Sequence, residues 1–171
     1  MLDGEEMIGA GKSKLLAMRG SVVSMIFQEP MTSLNPLHKI GRQVSEMLII
    51  DEKIDRKNAG DRVRELFDLV GLDESVRTDA YPHELSGGQR QRVMIAMALA
   101  QEPKLLIADE PTTALDVTIQ KQILELLKDV QNKLNMSLLL ITHDLTVVRS
   151  LANRICVMTQ GDIVEHGLSK K

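Results

Sequence analysis

Three short apolar runs, Val22 to Phe27, Leu105 to Ala108 and Leu138 to Ile141, stand out from the mixed pattern of the chain. Each has the length of a strand and none alternates, as in strands covered on both faces within a parallel sheet. Helical spacing fills the intervals. Val63, Leu66, Phe67 and Val70 keep one apolar stripe, and Ile119, Ile123, Leu126, Leu127, Val130 and Leu134 keep another. Val93 to Ala100 is apolar nearly all round and predicts a buried helix. Residues 38–84 offer no convincing strand and read as a helical insertion into an α/β sheet domain.

Polar residues that would be costly in a core follow each run at once: Gln28 and Glu29, then Asp109 and Glu110, then His143 and Asp144. In a parallel sheet these positions are the carboxyl ends of the strands, where open α/β folds place ligands. The pattern therefore gathers Gln28, Asp109, Glu110 and His143 along one edge. Each of them alone could equally cap the next helix or begin a loop.

Bulk properties narrow the classes. A chain of 171 residues, 43% apolar, can build one core without disulfides or a metal. The net charge of −3 and dispersed basic residues give no general attraction for nucleic acid, and 2% aromatic content without Trp leaves no stacking platform for bases. The ten methionines suit core gaps. Cys156 lies in the apolar run Ile155 to Met158, which predicts a buried, inert thiol. No apolar stretch reaches the length of a membrane span, and no signal pattern opens the chain, so a soluble cytosolic protein is expected.

Two segments carry candidate chemistry. Leu85-Ser86-Gly87-Gly88-Gln89-Arg90-Gln91-Arg92 precedes the buried helix, and a helix opened by Ser and two glycines presents free amides and a positive dipole end to an anion. Ser-Gly-Gly is also an ordinary N-cap and turn. Asp109-Glu110-Pro111-Thr112-Thr113-Ala114-Leu115-Asp116 sets two carboxylates side by side at a strand end, an arrangement relieved by a cation such as Mg²⁺ between them and a phosphate.

Leu85 to Gln89, Leu105 to Glu110, Leu115-Asp116 and Thr142-His143 resemble, in order and spacing, the signature, Walker B, D-loop and H-loop of ABC ATPases, and Gln28 fits the Q-loop. The resemblance runs from Asp3 to Gly167. It implies a P-loop NTPase-like parallel sheet with helices on both faces and an inserted ABC helical subdomain. The division expected is 1–37 (sheet and Q-loop), 38–100 (helical subdomain with signature) and 101–171 (Walker B onward). Ile26 to Pro36 and Tyr81-Pro82-His83-Glu84 are similar to the branch serving oligopeptide, dipeptide and nickel importers. Leu34-Asn35-Pro36-Leu37-His38 further resembles peptide and microcin C importers with two ATPase halves in one chain.

By the same resemblance, Asp109 and Gln28 would serve Mg²⁺, Glu110 would polarise the attacking water, and His143 would contact the γ-phosphate. Ser86, Gly87, Gly88 and Gln89 would grip an ATP held by a second ABC ATPase subunit, with Asp116 at the seam; capping of the following helix is compatible with that place. The implied cofactors are ATP and Mg²⁺. The implied partners are integral membrane permease subunits, a second ATPase, and indirectly a solute-binding protein, with no nucleic acid, at the cytoplasmic face of a bacterial membrane.

One motif departs from the family. Gly9-Ala10-Gly11-Lys12-Ser13 imitates the end of a P-loop, yet Glu6 would stand at the first required glycine and no buried strand precedes it. The sequence therefore predicts that the true P-loop and the first strands lie outside this chain, that the importers' C-terminal extension is absent too, and that the sheet leaves an apolar edge or face open. Three functions follow: a transport ATPase; a remnant that only lends its signature to a partner's ATP site; and, least supported, a DNA-repair or ribosome-associated ABC protein. The first two differ in whether the chain binds Mg-ATP alone.

Overall fold

The computed structural model describes residues 2, 4–28, 33–50, 58–72, 76 and 78–169. Met1, Asp3, Glu29 to Thr32 of the importer-like segment, Lys170 and Lys171 lie outside the described residues.

The three apolar runs form β1 (Val23–Ile26), β2 (Leu105–Asp109) and β3 (Ser137–Ile141), parallel and in the order β1-β2-β3. Ile26 lies opposite Ala108, and Asp109 opposite Ile141, so all three strands end at one edge. Parallel neighbours need crossovers. Between β1 and β2 run α2 (Ile40–Ile49), α3 (Ala59–Leu69) and α4 (Gly87–Leu99); between β2 and β3 runs α5 (Val117–Leu134). The segment before β1 holds the seven-residue α1 (Lys12–Met18), and α6 (Leu145–Leu151) follows β3. Among the described residues between 38 and 84 there is no strand.

Both predicted stripes face the core: Val63, Leu66, Phe67 and Val70 are buried on and just after α3, as are Ile123, Leu127 and Val130 on α5. The α4 helix is apolar nearly all round because it is sandwiched. It touches α2, α3, α5 and β1, and Val93, Ile95, Ala96 and Leu99 have no exposed surface. Guanidinium bonds tie this layer together: Arg92 Nη1 donates to the Val70 carbonyl beyond α3, and Arg62 on α3 pairs with Glu102 beyond α4. Partial burial holds the Arg92 pKa below its usual value.

Burial along β2 and β3 alternates, contrary to the expectation of strands covered on both faces. Leu106 and Ala108 are fully buried in the core shared with α4 and α5, whereas Leu139 and Ile141 on the opposite face are 49% and 45% exposed. The expected open apolar face is therefore present. Cys156 is likewise a correction. It is exposed, on β4 (Arg154–Thr159), which among the described residues pairs only with antiparallel β5 (Asp162–Leu168), and neither face of that hairpin is deeply covered. The apolar run Ile155 to Met158 predicts a buried thiol, but a two-stranded ribbon has no layer to cover it.

Candidate functional site

At the end of β2 the chain turns abruptly. Glu110 adopts a left-handed backbone (φ 48°), uncommon for a residue other than glycine, while its N–H still donates to the Ile141 carbonyl at 2.9 Å. The ladder is thus extended by one bond as the carboxylate swings toward the neighbouring strand end. There His143 Nδ1–H donates to Glu110 Oε1 at 2.6 Å, and Thr113 Oγ1 donates to Glu110 Oε2 at 2.8 Å. Both carboxylate oxygens are engaged. The Glu110 side chain is 18% exposed and His143 83% exposed, so the pair forms a lip at the strand edge rather than a buried couple.

The contact moves both titrations. Hydrogen bonding from His143 holds the Glu110 carboxyl below its usual range, against a smaller opposing effect of burial. The same bond, with the attraction of the carboxylate, raises the His143 imidazole. Asp144 caps α6 through Thr146 N–H at 2.7 Å, and that backbone bond lowers its carboxyl.

Asp109 ends β2, half-buried, and Gln28 stands exposed two residues beyond Ile26 on the adjacent strand. The strand order places Glu110 centrally, with His143 and Gln28 to either side. Gathering of the four polar residues along one edge is therefore observed. Direct contact joins only Glu110 and His143 among them in the described hydrogen bonds. Asp109 and Gln28 offer a carboxylate and an amide oxygen, the hard donors that suit Mg²⁺ when phosphate and water complete its shell. Among the described residues no three His, Cys, Asp or Glu side chains gather as a metal cluster.

The segment expected to be the signature, Leu85 to Gln89, lies at the opening of α4. Ser86 is its N-cap: Ser86 Oγ accepts from Gln89 N–H at 3.2 Å, and Gln89 Oε1 accepts from Ser86 N–H at 2.9 Å. Gly87 is exposed and Gly88 buried. A Cβ on Gly88 would lie 2.8 Å from Ile119 Cγ2, and one on Gly87 3.3 Å from Leu115 Cδ2. The absent side chains thus let α4 seat directly on the start of α5. Asp116 caps α5 by accepting from Ile119 N–H at 3.0 Å, and Gln120 Nε2 donates to the Thr112 and Leu115 carbonyls across the intervening turn. Thr113 and Ile119 also shape this site, the first through Glu110 and the second against Gly88. The Glu-x-x-Thr spacing was the only signal for Thr113, and nothing in the sequence marked Ile119 as more than one apolar position in a stripe.

Gly9 to Ser13 open α1, with Gly11 as N-cap. Among the described residues no strand precedes them, and the Glu6 carboxylate accepts from the Ile8 amide at 3.2 Å, so an internal anion already sits in that turn.

The profile of the ABC transporter family matches residues 17–113, more than half of the chain. The chain belongs to the ABC transporter family. That match begins past the Gly9 to Ser13 turn and includes Gln28, Ser86 to Gln89, Asp109 and Glu110. Among curated relatives, the peptidoglycan transport ATP-binding protein YejF of Agrobacterium fabrum is 60% identical over 168 residues, 98% of this chain and 31% of that protein. The oligopeptide transport ATP-binding protein OppD of Bacillus subtilis is 54% identical, over 98% of this chain and 47% of its own length. The chain thus spans 31% and 47% of the length of these two relatives. In three dimensions it is similar to the ATP-binding cassette MJ0796 in a dimeric post-hydrolysis state bound to ADP and Pi: TM-score 0.85, 28% identity, 99% of this chain and 72% of that one. The expected importer branch and the α/β cassette fold are both supported by these relatives. No described helix of this chain is long and apolar enough to cross a membrane.

Proposed function

We propose that this ABC chain forms the ATP-binding and ATP-hydrolysing part of an importer for peptides or related small solutes. The observation that carries the reading is the Glu110 carboxylate, turned out of the central strand end and fixed by His143 and Thr113. Phosphoryl transfer to water asks little covalent chemistry of a protein; it asks for a placed water and compensated charge. Glu110 would take the proton from that water. His143, exposed beside it, would leave the carboxylate to donate toward the terminal phosphate when ATP arrives.

Asp109 and Gln28 would hold Mg²⁺, which supplies charge neutralisation at the phosphates when bound. Ser86 to Gln89 would meet the phosphate of an ATP held by a second ATPase, with Asp116 at that seam. The dimeric state of the similar cassette MJ0796 supports that arrangement. In this reading residues 38–100 are the helical subdomain that presents the signature, and 1–37 with 101–171 are the sheet side. Permease subunits would be the membrane partners at the cytoplasmic face.

The test exchanges residues 17–168 for the aligned segment of Bacillus subtilis OppD and measures oligopeptide uptake and ATP hydrolysis in cells lacking the native protein. Uptake is expected. Glu110→Gln in the chimera should retain nucleotide binding and slow hydrolysis by roughly 10² to 10⁴, the scale of a lost general base. Unchanged hydrolysis refutes the role of Glu110, and a chimera that neither transports nor hydrolyses refutes the function.

A further inference from the structure

The turn that follows Glu110 is held by its own backbone and by α5. Thr113 N–H donates to the Glu110 carbonyl at 3.1 Å and Leu115 N–H to the Thr112 carbonyl at 3.3 Å. Gln120 Nε2 donates to the Thr112 and Leu115 carbonyls at 3.3 and 3.1 Å. Glu110 and Ala114 both stand in the left-handed region, at φ 48° and 65°, where residues other than glycine persist only when their surroundings over-determine them. The Thr113 side chain therefore projects from a fixed backbone. Its hydroxyl donates to Glu110 Oε2 at 2.8 Å, a charge-assisted bond when the carboxylate is ionised.

The two oxygens of this carboxylate are held by unlike partners. His143, on Oε1, is exposed, and in the reading above it leaves for the terminal phosphate. Thr113 is half-buried in the same turn as Glu110, so its bond to Oε2 stays when His143 departs. The last torsion of a glutamate is broad and two-fold, and a carboxylate released by His143 with no other partner would turn and exchange its oxygens. A hydroxyl on Oε2 prevents that exchange. Oε1, on the side of β3 and His143, is then the oxygen left open.

We propose, resting on the ATPase reading above, that Thr113 is a positioning residue that pins Oε2 of Glu110 and thereby assigns the base role to Oε1. As the water oxygen bonds to the terminal phosphorus, one of its O–H bonds breaks and the proton passes to Oε1. The bond from phosphorus to the bridging oxygen breaks in turn, its electron pair leaving on ADP. A carboxylate free to rotate presents neither oxygen steadily, and misplacement by about 1 Å can cost about 10² in rate. Thr113→Val keeps the branched shape without the donor. Thr113→Ser keeps the donor without the branch.

Two measurements test it. In the OppD chimera, Thr113→Val should lower kcat for ATP hydrolysis by roughly 10- to 100-fold with KM for Mg-ATP unchanged, and Thr113→Ser should keep most of the wild-type rate. An unchanged kcat in Thr113→Val, beside a hydrolysing wild type and a slowed Glu110→Gln, overturns the assignment alone. Equal losses in the Val and Ser variants mark packing and overturn it too, as does a raised KM with kcat kept, which marks a contact to nucleotide. A wild-type chimera without hydrolysis overturns the ATPase reading and this assignment together. On the chain itself, His143→Ala leaves Thr113 as the partner of the carboxylate, and NMR relaxation then reads how firmly the Glu110 side chain is held. Adding Thr113→Val to His143→Ala should lower the Glu110 side-chain order parameter, and adding Thr113→Ser should not. Equal order in these variants overturns the proposal.

Discussion

Gly88→Ala is the substitution whose outcome the geometry fixes most tightly. The new methyl would stand 2.8 Å from Ile119 Cγ2 and 3.7 and 3.9 Å from its Cδ1 and Cγ1, inside a buried contact between α4 and α5. Overpacking of this kind costs typically 1–3 kcal/mol. Against it stands the better helix propensity of alanine, at most about 1 kcal/mol and less in a first turn. The clash wins, and a net loss of about 1 kcal/mol lowers the melting temperature of a chain this size by roughly 2–4 °C. Ile119→Ala removes Cγ2 itself, whereas Ile119→Val would leave it in place. In the Ile119→Ala background, Gly88→Ala should therefore become neutral or stabilising. Gly87→Ala is the control: its methyl meets only the far end of the Leu115 side chain at 3.3 Å, which can rotate away, so the change should stay within about 0.5 kcal/mol. Denaturant unfolding of the four proteins in the Gly88–Ile119 cycle supplies the numbers. Additivity within about 0.5 kcal/mol refutes the reasoning.

Titration of His143 tests the strand-edge pair. Its raised imidazole contributes attraction that is complete below the unfolded histidine value of about 6.5 and lost as pH climbs through the folded one; the lowered Glu110 carboxyl contributes above about 4.3 and is lost as pH falls through its folded value. The contact is therefore strongest between about pH 4.3 and 6.5, and NMR should find the His143 midpoint above 6.5, returning toward it in Glu110→Gln. An unmoved midpoint contradicts the contact. Asp116→Ala should cost about 1 kcal/mol through the lost cap on Ile119 N–H, with Asp116→Asn retaining most of it. Equal melting losses for the two would show that the carboxyl oxygen is not acting as a cap.

The identities at the strand edge were legible because their positions are costly anywhere else. Asp109, Glu110, His143 and Gln28 each follow an apolar run at once, and a parallel sheet brings such positions to one edge without further information. Burial was less legible. Runs such as Leu138 to Ile141 and Ile155 to Met158 state that a strand is apolar, not how many layers cover it, so the alternating burial of β3 differs from the two-sided cover the run predicts, and Cys156 stands exposed on a bare ribbon. Alternation appears only where a layer is present on one side.

What the sequence could not supply is the geometry that turns identity into chemistry. Glu110 points at His143 because its backbone is left-handed at a position where no glycine advertises the turn. Gln43 sits in an amphipathic helix, where a polar residue reads as solvated, yet its three partners are all backbone atoms, which carry no residue signature at all. Gly88 shows the same limit from the other side. A glycine in a signature segment invites the reading that a phosphate must come close, but here Ile119 of the same chain already demands the missing methyl. A loss of activity in Gly88→Ala would therefore not by itself report on phosphate. Only the pairing with Ile119→Ala divides the two causes, because relieving the packing restores stability whether or not an anion needs the space.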